Sequence, residues 1–220
     1  MSDPGWRRSS NGVSSGRGTP PVCRTHGSGT RPGGRPVAAS LARMRVVAGE
    51  FGGRKLVAPE GLTTRPTTDK VREAVFNSLG SMGVLDDAVV VDLFAGSGAM
   101  GIEALSRGAA RCTFVERDRT ALQALRTNLS ALALGDRATV VASDVLAWLP
   151  GLRGADLALV DPPYTFDGWE RLLDLLHHPA QVAYVVCEAP REVPAPAGWE
   201  TVRARQYGRT AVTVLARVEG

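Results

Sequence analysis

From residue 88 to residue 188 the chain alternates short apolar runs, rich in β-branched residues, with longer stretches of helical period. This alternation limits the fold more than any other feature. The strand-like runs are 88–93, 111–116, 139–142, 156–160 and 182–188, and the helical stretches between them are 99–107, 118–134, 144–149 and 167–176. Within 118–134, Leu122, Leu125, Leu129 and Leu132 recur at the spacing of one buried helical face. Strands joined by helices over short loops need crossover connections, so they lie parallel in a sheet covered on both faces. A last β pair, 201–207 with 211–218 around Gly208, predicts one antiparallel strand near an edge. The expected class is α/β.

Upstream, Arg45–Gly49 and Arg54–Ala58 are two β-like runs around Glu50-Phe51-Gly52-Gly53, the pattern of a hairpin. Arg65-Pro66-Thr67-Thr68-Asp69 then supplies a stop and a helix start, with Thr67 or Thr68 as cap and Asp69 at the positive end of the dipole. Val71, Val75 and Leu79 follow as an apolar helical stripe. Residues 44–72 hold Arg45, Arg54, Lys55, Arg65, Lys70 and Arg72 against Glu50, Glu60 and Asp69, a local +3. That excess suits contact with phosphates, or simply a solvated face.

Residues 1–43 are different. Eight Gly, seven Ser and five Pro fill 20 of the 43 positions, and no apolar period is visible. Such a segment buries too little surface to offset its ordering entropy and is expected to be disordered. It carries seven Arg and one acid, net +6, so the remaining 177 residues are −2 although the chain as a whole is +4. The charge therefore describes the tail more than the fold. Met44 opens the first patterned segment, which makes an upstream extension of no function one reading of 1–43 and a basic arm on phosphates another. The expected organisation is a basic tail 1–43, a hairpin and helix at 44–80, and an α/β domain at 81–220. The three cysteines, Cys23, Cys112 and Cys187, are far apart and form no metal-binding or disulfide framework; Cys112 and Cys187 fall in strand runs and are expected in the core. No apolar run approaches the roughly 18 residues of a membrane span.

Two loops carry the chemistry. After the first strand comes Asp92-Leu93-Phe94-Ala95-Gly96-Ser97-Gly98-Ala99-Met100-Gly101. Gly96, Gly98 and Gly101 fit a GxGxxG turn, which lets a ligand approach backbone at a helix N-terminus. Glu116 ends the next strand, where an acid reads ribose hydroxyls. These signals indicate an adenosine-containing cofactor. Asp92 favours one kind: a carboxylate beside a pyrophosphate would repel it, whereas a sulfonium with an amino-acid tail is cationic. Asp144, after the third strand, can accept from an adenine amine with the Val145 N–H on a ring nitrogen, and can equally cap the following helix. After the fourth strand stands Asp161-Pro162-Pro163-Tyr164. Ligands of open α/β sheets lie beyond the carboxyl ends of strands, so this run faces the glycine turn. Its prolines remove two N–H donors and its tyrosine offers a stacking face.

Asp161-Pro162-Pro163-Tyr164 in this place is the Asp/Asn-Pro-Pro-aromatic signature of S-adenosylmethionine-dependent amino methyltransferases. Together with MRVVAGEFGGRKL (44–56), RPTTDKVREAVFNSL (65–79), DLFAGSGAMGIEALSRGA (92–109) and the Tyr207-Gly208-Arg209-Thr210 hairpin, it resembles the RsmD family of 16S rRNA guanine-N2-methyltransferases over residues 44–218. The resemblance implies a Rossmann-like, seven-stranded class I methyltransferase sheet, mostly parallel with one antiparallel strand. It implies S-adenosyl-L-methionine as cofactor, held by Asp92, Phe94, Ala95, Gly96, Ser97, Gly98, Glu116, Arg117, Asp144 and Val145. Asp161, Pro162, Pro163 and Tyr164 would hold the guanine, and Arg45, Arg54, Lys55, Arg65 and Arg72 would contact RNA. The implied partner is 16S rRNA in a partly or fully assembled small ribosomal subunit. No metal and no membrane are expected, and the protein would act as a cytoplasmic monomer.

Other readings of the same residues are a DNA adenine or cytosine methyltransferase, a nicotinamide-dependent oxidoreductase, and a non-catalytic RNA-binding or assembly factor. His177-His178, before Pro179, suits a helix C-terminus. Trp148 is expected to pack, and Trp169 to border the substrate.

Overall fold

A computed structural model describes residues 44–59 and 69–218. The tail 1–43, Cys23, Arg65 and the two candidate caps Thr67 and Thr68 lie outside the described residues. The strands are β1 (Val89–Leu93), β2 (Arg111–Glu116), β3 (Ala138–Ala142), β4 (Leu157–Val160), β5 (Tyr184–Ala189), β6 (Trp199–Tyr207) and β7 (Thr210–Arg217). The helices are α1 (Asp69–Ser81), α2 (Ala99–Ser106), α3 (Arg119–Ala131), α4 (Val145–Trp148) and α5 (Trp169–His177), and a 3₁₀ turn follows α4. They form one seven-stranded sheet in the order β3-β2-β1-β4-β5-β7-β6. β1 to β5 are parallel, and β7 runs antiparallel to both β5 and β6. The strand order reverses between β1 and β4, the crevice where such sheets bind ligands.

The strands have the period of two that a sheet covered on both faces requires. Val90, Cys112, Phe114, Leu157, Leu159 and Val186 join the core with α1, α2 and α3. Val91, Leu93, Val115, Ala158, Val160, Val185 and Cys187 join the opposite core with α4 and α5. Cys112 and Cys187 are free and buried, as expected, and Trp148 packs at the edge of the second core. His177 ends α5. The helix expected to reach residue 134 stops at Ala131. Ala133 takes φ +54°, and the Leu134 N–H bonds back to the Leu129 carbonyl at 3.0 Å. This Schellman-type stop turns Leu132 and Leu134 into the core.

The N-terminal pair is antiparallel but has a single β-bridge, Arg45 to Lys55, supported by the Val46 N–H to the Arg54 carbonyl and the Leu56 N–H to the Met44 carbonyl, both at 2.9 Å. It is less a free hairpin than a strap along α2. Its turn meets Ser106 at the C-terminal end of that helix, where the Glu50 N–H bonds to the Ser106 carbonyl at 2.7 Å and the Phe51 N–H to Ser106 Oγ at 3.0 Å. Its open end meets the glycine turn, where Ser97 Oγ donates to Met44 Sδ at 3.1 Å. Met44, Val46 and Leu56 bury their side chains in the first core.

Candidate active site

Strand register brings the loops together. Leu93 is level with Val115 on one side and Val160 on the other, and Glu116 is level with Ala142. The next residues along are therefore Phe94, Glu116 and Asp161, with Asp144 two beyond Ala142. The carboxyl ends of β3, β2, β1 and β4 thus deliver an acid, an acid, the glycine turn and the Asp161–Tyr164 run along one rim.

The glycine turn has local reasons for its shape. Phe94 leaves β1 at φ +61°, a left-handed conformation rare for a residue with a side chain. Its ring packs edge-on to Phe166 at 5.1 Å, and Phe166 in turn to Trp169 at 5.5 Å, so the strained residue is held by the aromatic segment that follows Tyr164. Gly98 starts α2 at φ +81°, and a Cβ there would lie 2.4 Å from Leu125 Cδ1. At Gly101 a Cβ would lie 2.3 Å from the Phe114 ring, so this glycine lets α2 pack on β2. Gly96 differs: a Cβ would meet nothing closer than the Phe94 carbonyl at 3.9 Å. Of the three, it is the one whose open side faces space a ligand can use.

The acids are engaged in distinct ways. Glu116 is 9 % exposed; Oε2 accepts from the Gly96 N–H at 2.8 Å, and Oε1 from the Arg117 and Asp118 N–H groups at 2.7 and 2.8 Å. A carboxylate oxygen has two acceptor sites, so Oε2 retains one for a hydroxyl. Asp144 caps α4 through Oδ1, accepting from Leu146 and Ala147, while Oδ2 takes Arg117 Nη1 at 2.9 Å. The cap and the adenine reading are therefore compatible, and Arg117 is drawn across from the end of β2 to the end of β3. Asp92 is 2 % exposed and accepts from the Gly101 N–H at 2.9 Å. Burial pushes its pKa up to about 8, against the lowering effect of the Gly101 bond and with a further rise from Glu116. Near neutral pH most of this carboxyl is protonated. Asp92 is therefore not the fixed anion expected to repel a pyrophosphate; it fastens β1 to α2.

On the other side of the crevice Asp161 is half-buried, Pro162 buried, and Pro163 and Tyr164 exposed. The Phe166 N–H closes the turn on the Pro163 carbonyl at 2.8 Å. Tyr164 Oη lies 3.3 Å from Thr210 Oγ1 at the start of β7, so the Tyr207–Thr210 hairpin steadies the aromatic ring. An open pocket of about 630 Å³ adjoins this ring, lined by Tyr164, Trp169, Glu170, Leu173 and residues 189–196. Trp169, expected to border the substrate, lines this pocket with Tyr164.

Among the described basic residues predicted to contact RNA, Arg45, Arg54 and Lys55 are exposed and Arg72 is not. Arg72 is 1 % exposed; it donates to the Arg45 carbonyl and to Asp69, and its Nε lies 3.5 Å from the fully buried Glu103. It is a structural cation, and its assignment to RNA is corrected on that ground. Arg45 is exposed and paired with Asp69 at 3.0 Å, Arg54 donates to the Ala131 carbonyl at 2.9 Å, and Lys55 is exposed.

Two residues that the sequence reading passed over hold the site in place. Glu103 accepts from the Val47 and Ala48 N–H groups at 2.7 and 3.1 Å and from Arg107 Nε at 2.7 Å. Asn128, on the apolar face of α3, exchanges both of its amide functions with Val57 and donates to the Ser97 carbonyl at 2.9 Å. The available signal was a polar residue, Asn128, at a helical position flanked by Leu125 and Leu129.

Comparison with known proteins places the chain. The family model Conserved hypothetical protein 95 matches residues 44–216. The chain is 41% identical to the Bacillus subtilis protein named "Putative rRNA methyltransferase YlbH" over 79% of its own length and 99% of that protein's. It is 38% identical to ribosomal RNA small subunit methyltransferase D of Escherichia coli, over 83% of this chain and 94% of that one. Among solved structures, "Putative methyltransferase yhhF" from Escherichia coli superimposes with a TM-score of 0.70 at 39% identity, covering 80% of this chain and 98% of the other. With a family match over nearly all of its patterned length, the chain belongs to the Conserved hypothetical protein 95 family, the RsmD family that its motifs resemble.

Proposed function

We propose that this protein is an S-adenosylmethionine-dependent rRNA methyltransferase that methylates the exocyclic N2 amine of a guanine in small-subunit rRNA. The observation that carries the reading is the register of β1 and β4, which sets Asp161 level with Phe94, directly beside the glycine turn. Family membership supports both the reaction and the polymer. The cytoplasm, where small-subunit particles occur, is the corresponding location.

The residues present fit the cofactor. The open side of Gly96 allows close approach to backbone, Glu116 Oε2 has an acceptor site for a ribose hydroxyl, and Asp144 with the Val145 N–H can meet an adenine edge. When bound, S-adenosylmethionine supplies an electrophilic methyl on a sulfonium. The remaining chemistry belongs to the chain. A guanine amine is a poor nucleophile because its lone pair is delocalised into the ring. Asp161 and the Pro162 carbonyl accept its two hydrogens and draw the nitrogen toward tetrahedral geometry. As the nitrogen takes the methyl it becomes positive; Asp161 faces that charge and, directly or through water, takes the proton the nitrogen gives up. Tyr164 stacks the base, which contributes about 1–3 kcal/mol. Most of the acceleration comes from this positioning. Arg45 and Lys55, exposed at the open end of the strap, contact phosphates.

The test is transfer of labelled methyl to small-subunit particles from a strain lacking this protein, with the modified nucleotide mapped by mass. Wild-type protein labels one guanine. Asp161→Ala reduces turnover by roughly 100-fold or more while calorimetry shows cofactor affinity nearly unchanged. A wild-type protein that binds cofactor yet labels no particle overturns the reading, and labelling of duplex DNA instead transfers it to the DNA enzymes.

A further inference from the structure

We propose that the pocket between Tyr164, Trp169 and residues 189–196 receives the nucleobase adjacent to the methylated guanine. This rests on the function proposed above and extends it to a second subsite. The only residue shared by the pocket and the Asp161–Tyr164 run is Tyr164. Its ring, steadied through Thr210, is a partition with the reacting guanine on one side and this pocket on the other.

The pocket has the size and lining of a base site. About 630 Å³ lies within the usual range for small-molecule pockets, roughly 300–1,000 Å³. Trp169, held edge-on by Phe166, and the 48 % exposed Tyr164 are two aromatic walls, and Leu173, Val193 and Ala195 supply apolar surface. Single-stranded RNA is held in this way, with unstacked bases laid against aromatic side chains.

The polar groups define what enters. Glu170, Arg191 and Glu192 all line the pocket and are exposed; the two carboxylates outnumber the one guanidinium, which disfavours a phosphate inside. The base therefore goes in and the backbone stays at the rim. Pro190, Pro194 and Pro196 have no N–H, and the Val193 N–H is engaged by Thr213 Oγ1 at 3.2 Å. The Glu170 and Glu192 carboxylates can accept from an exocyclic amine and Arg191 can donate to a ring carbonyl, so the lining suits a base that carries both groups, as guanine and cytosine do.

The test uses the full chain, S-adenosylmethionine and small-subunit particles lacking the modification. With benzoylphenylalanine in place of Ala195, irradiation is expected to attach the protein to the nucleotide next to the methylated guanine, mapped by reverse-transcription stops. In parallel, Trp169→Leu removes a wall, and Ala195→Trp fills the pocket without touching the Phe166–Trp169 contact. Each raises KM for the particle roughly five- to hundred-fold, and Ala195→Trp, which leaves the Phe94–Phe166–Trp169 contacts in place, keeps cofactor affinity within about two-fold of wild type. Attachment to a ribosomal protein, to the methylated guanine itself, or to nothing overturns the proposal, as does an unchanged KM in both variants. A wild-type protein that methylates no particle sinks the functional reading instead, and this assignment with it.

Discussion

Asp92 shows how far a residue's identity can be from its state. Its carboxyl lies beneath the first turn of α2, bonded to the Gly101 N–H and raised to about pKa 8 chiefly by burial. In the unfolded chain the same group titrates near 3.8. The folded state therefore holds a proton that the unfolded state has lost, and the group's contribution to stability falls as pH rises between these two values. Asp92→Asn keeps an acceptor for Gly101 and has nothing to titrate. Relative to this variant, wild type is expected to lose up to about 4 kcal/mol of stability between pH 5 and pH 8, read from urea unfolding at each pH. Parallel pH profiles for the two proteins would refute the assignment. The position of Asp92 was legible in the sequence, because a strand-ending acid four residues before Gly96 is visible there. Its protonation was not, since that depends on how completely β2, β4 and α2 exclude water from it. Phe94 is similar: nothing in a run of apolar residues signals a left-handed φ, which Phe166 and Trp169 sustain from more than 70 residues away.

The elements themselves were largely legible. All seven strands and all five helices of the described residues occur in the order and places that alternation and period indicate, with α3 ending three residues early, because parallel strands covered on both faces and amphipathic helices leave local patterns. The strap was legible only as a local β pair. Its docking depends on single polar atoms far apart in sequence, above all the carboxylate of Glu103, which joins two strap amides, Arg72 and Arg107. A glutamate in a helix reads as solvated, and here it is fully buried. The same network explains the correction at Arg72: a basic residue next to other basic residues suggests a surface, but this one neutralises a buried carboxylate. Glu103→Ala leaves Arg72 buried without that partner and should cost about 3–5 kcal/mol. Hydrogen exchange should show the Val47 and Ala48 amides losing protection before the strand amides of β1. If these two amides remain protected in the variant, Glu103 is not what fastens the strap.

For the whole molecule, the net charge of +4 is the least informative number, because +6 of it belongs to residues 1–43. Two truncations separate the contributions. A protein starting at Met44 should bind cofactor as the full chain does and lose little RNA affinity. One starting at Pro59 also loses Met44, Val46 and Leu56 from the core and the partners of Glu103 and Asn128. Its midpoint of thermal unfolding should fall by roughly 10 °C or more, so lost methylation there would report lost structure as well as lost RNA contact. An unchanged midpoint would show that the strap adds nothing to the fold. The strap also sets an order of events during synthesis. Residues 44–58 leave the ribosome before the residues that hold them, which are Ser97, Glu103, Ser106, Asn128 and, for Glu50, Arg137, 87 residues later. At about 5–20 residues per second, that delay is on the order of ten seconds. Until α2 and α3 have been made, Met44, Val46 and Leu56 lack much of the core that covers them, so the earliest-made part of the patterned chain is among the last to be secured.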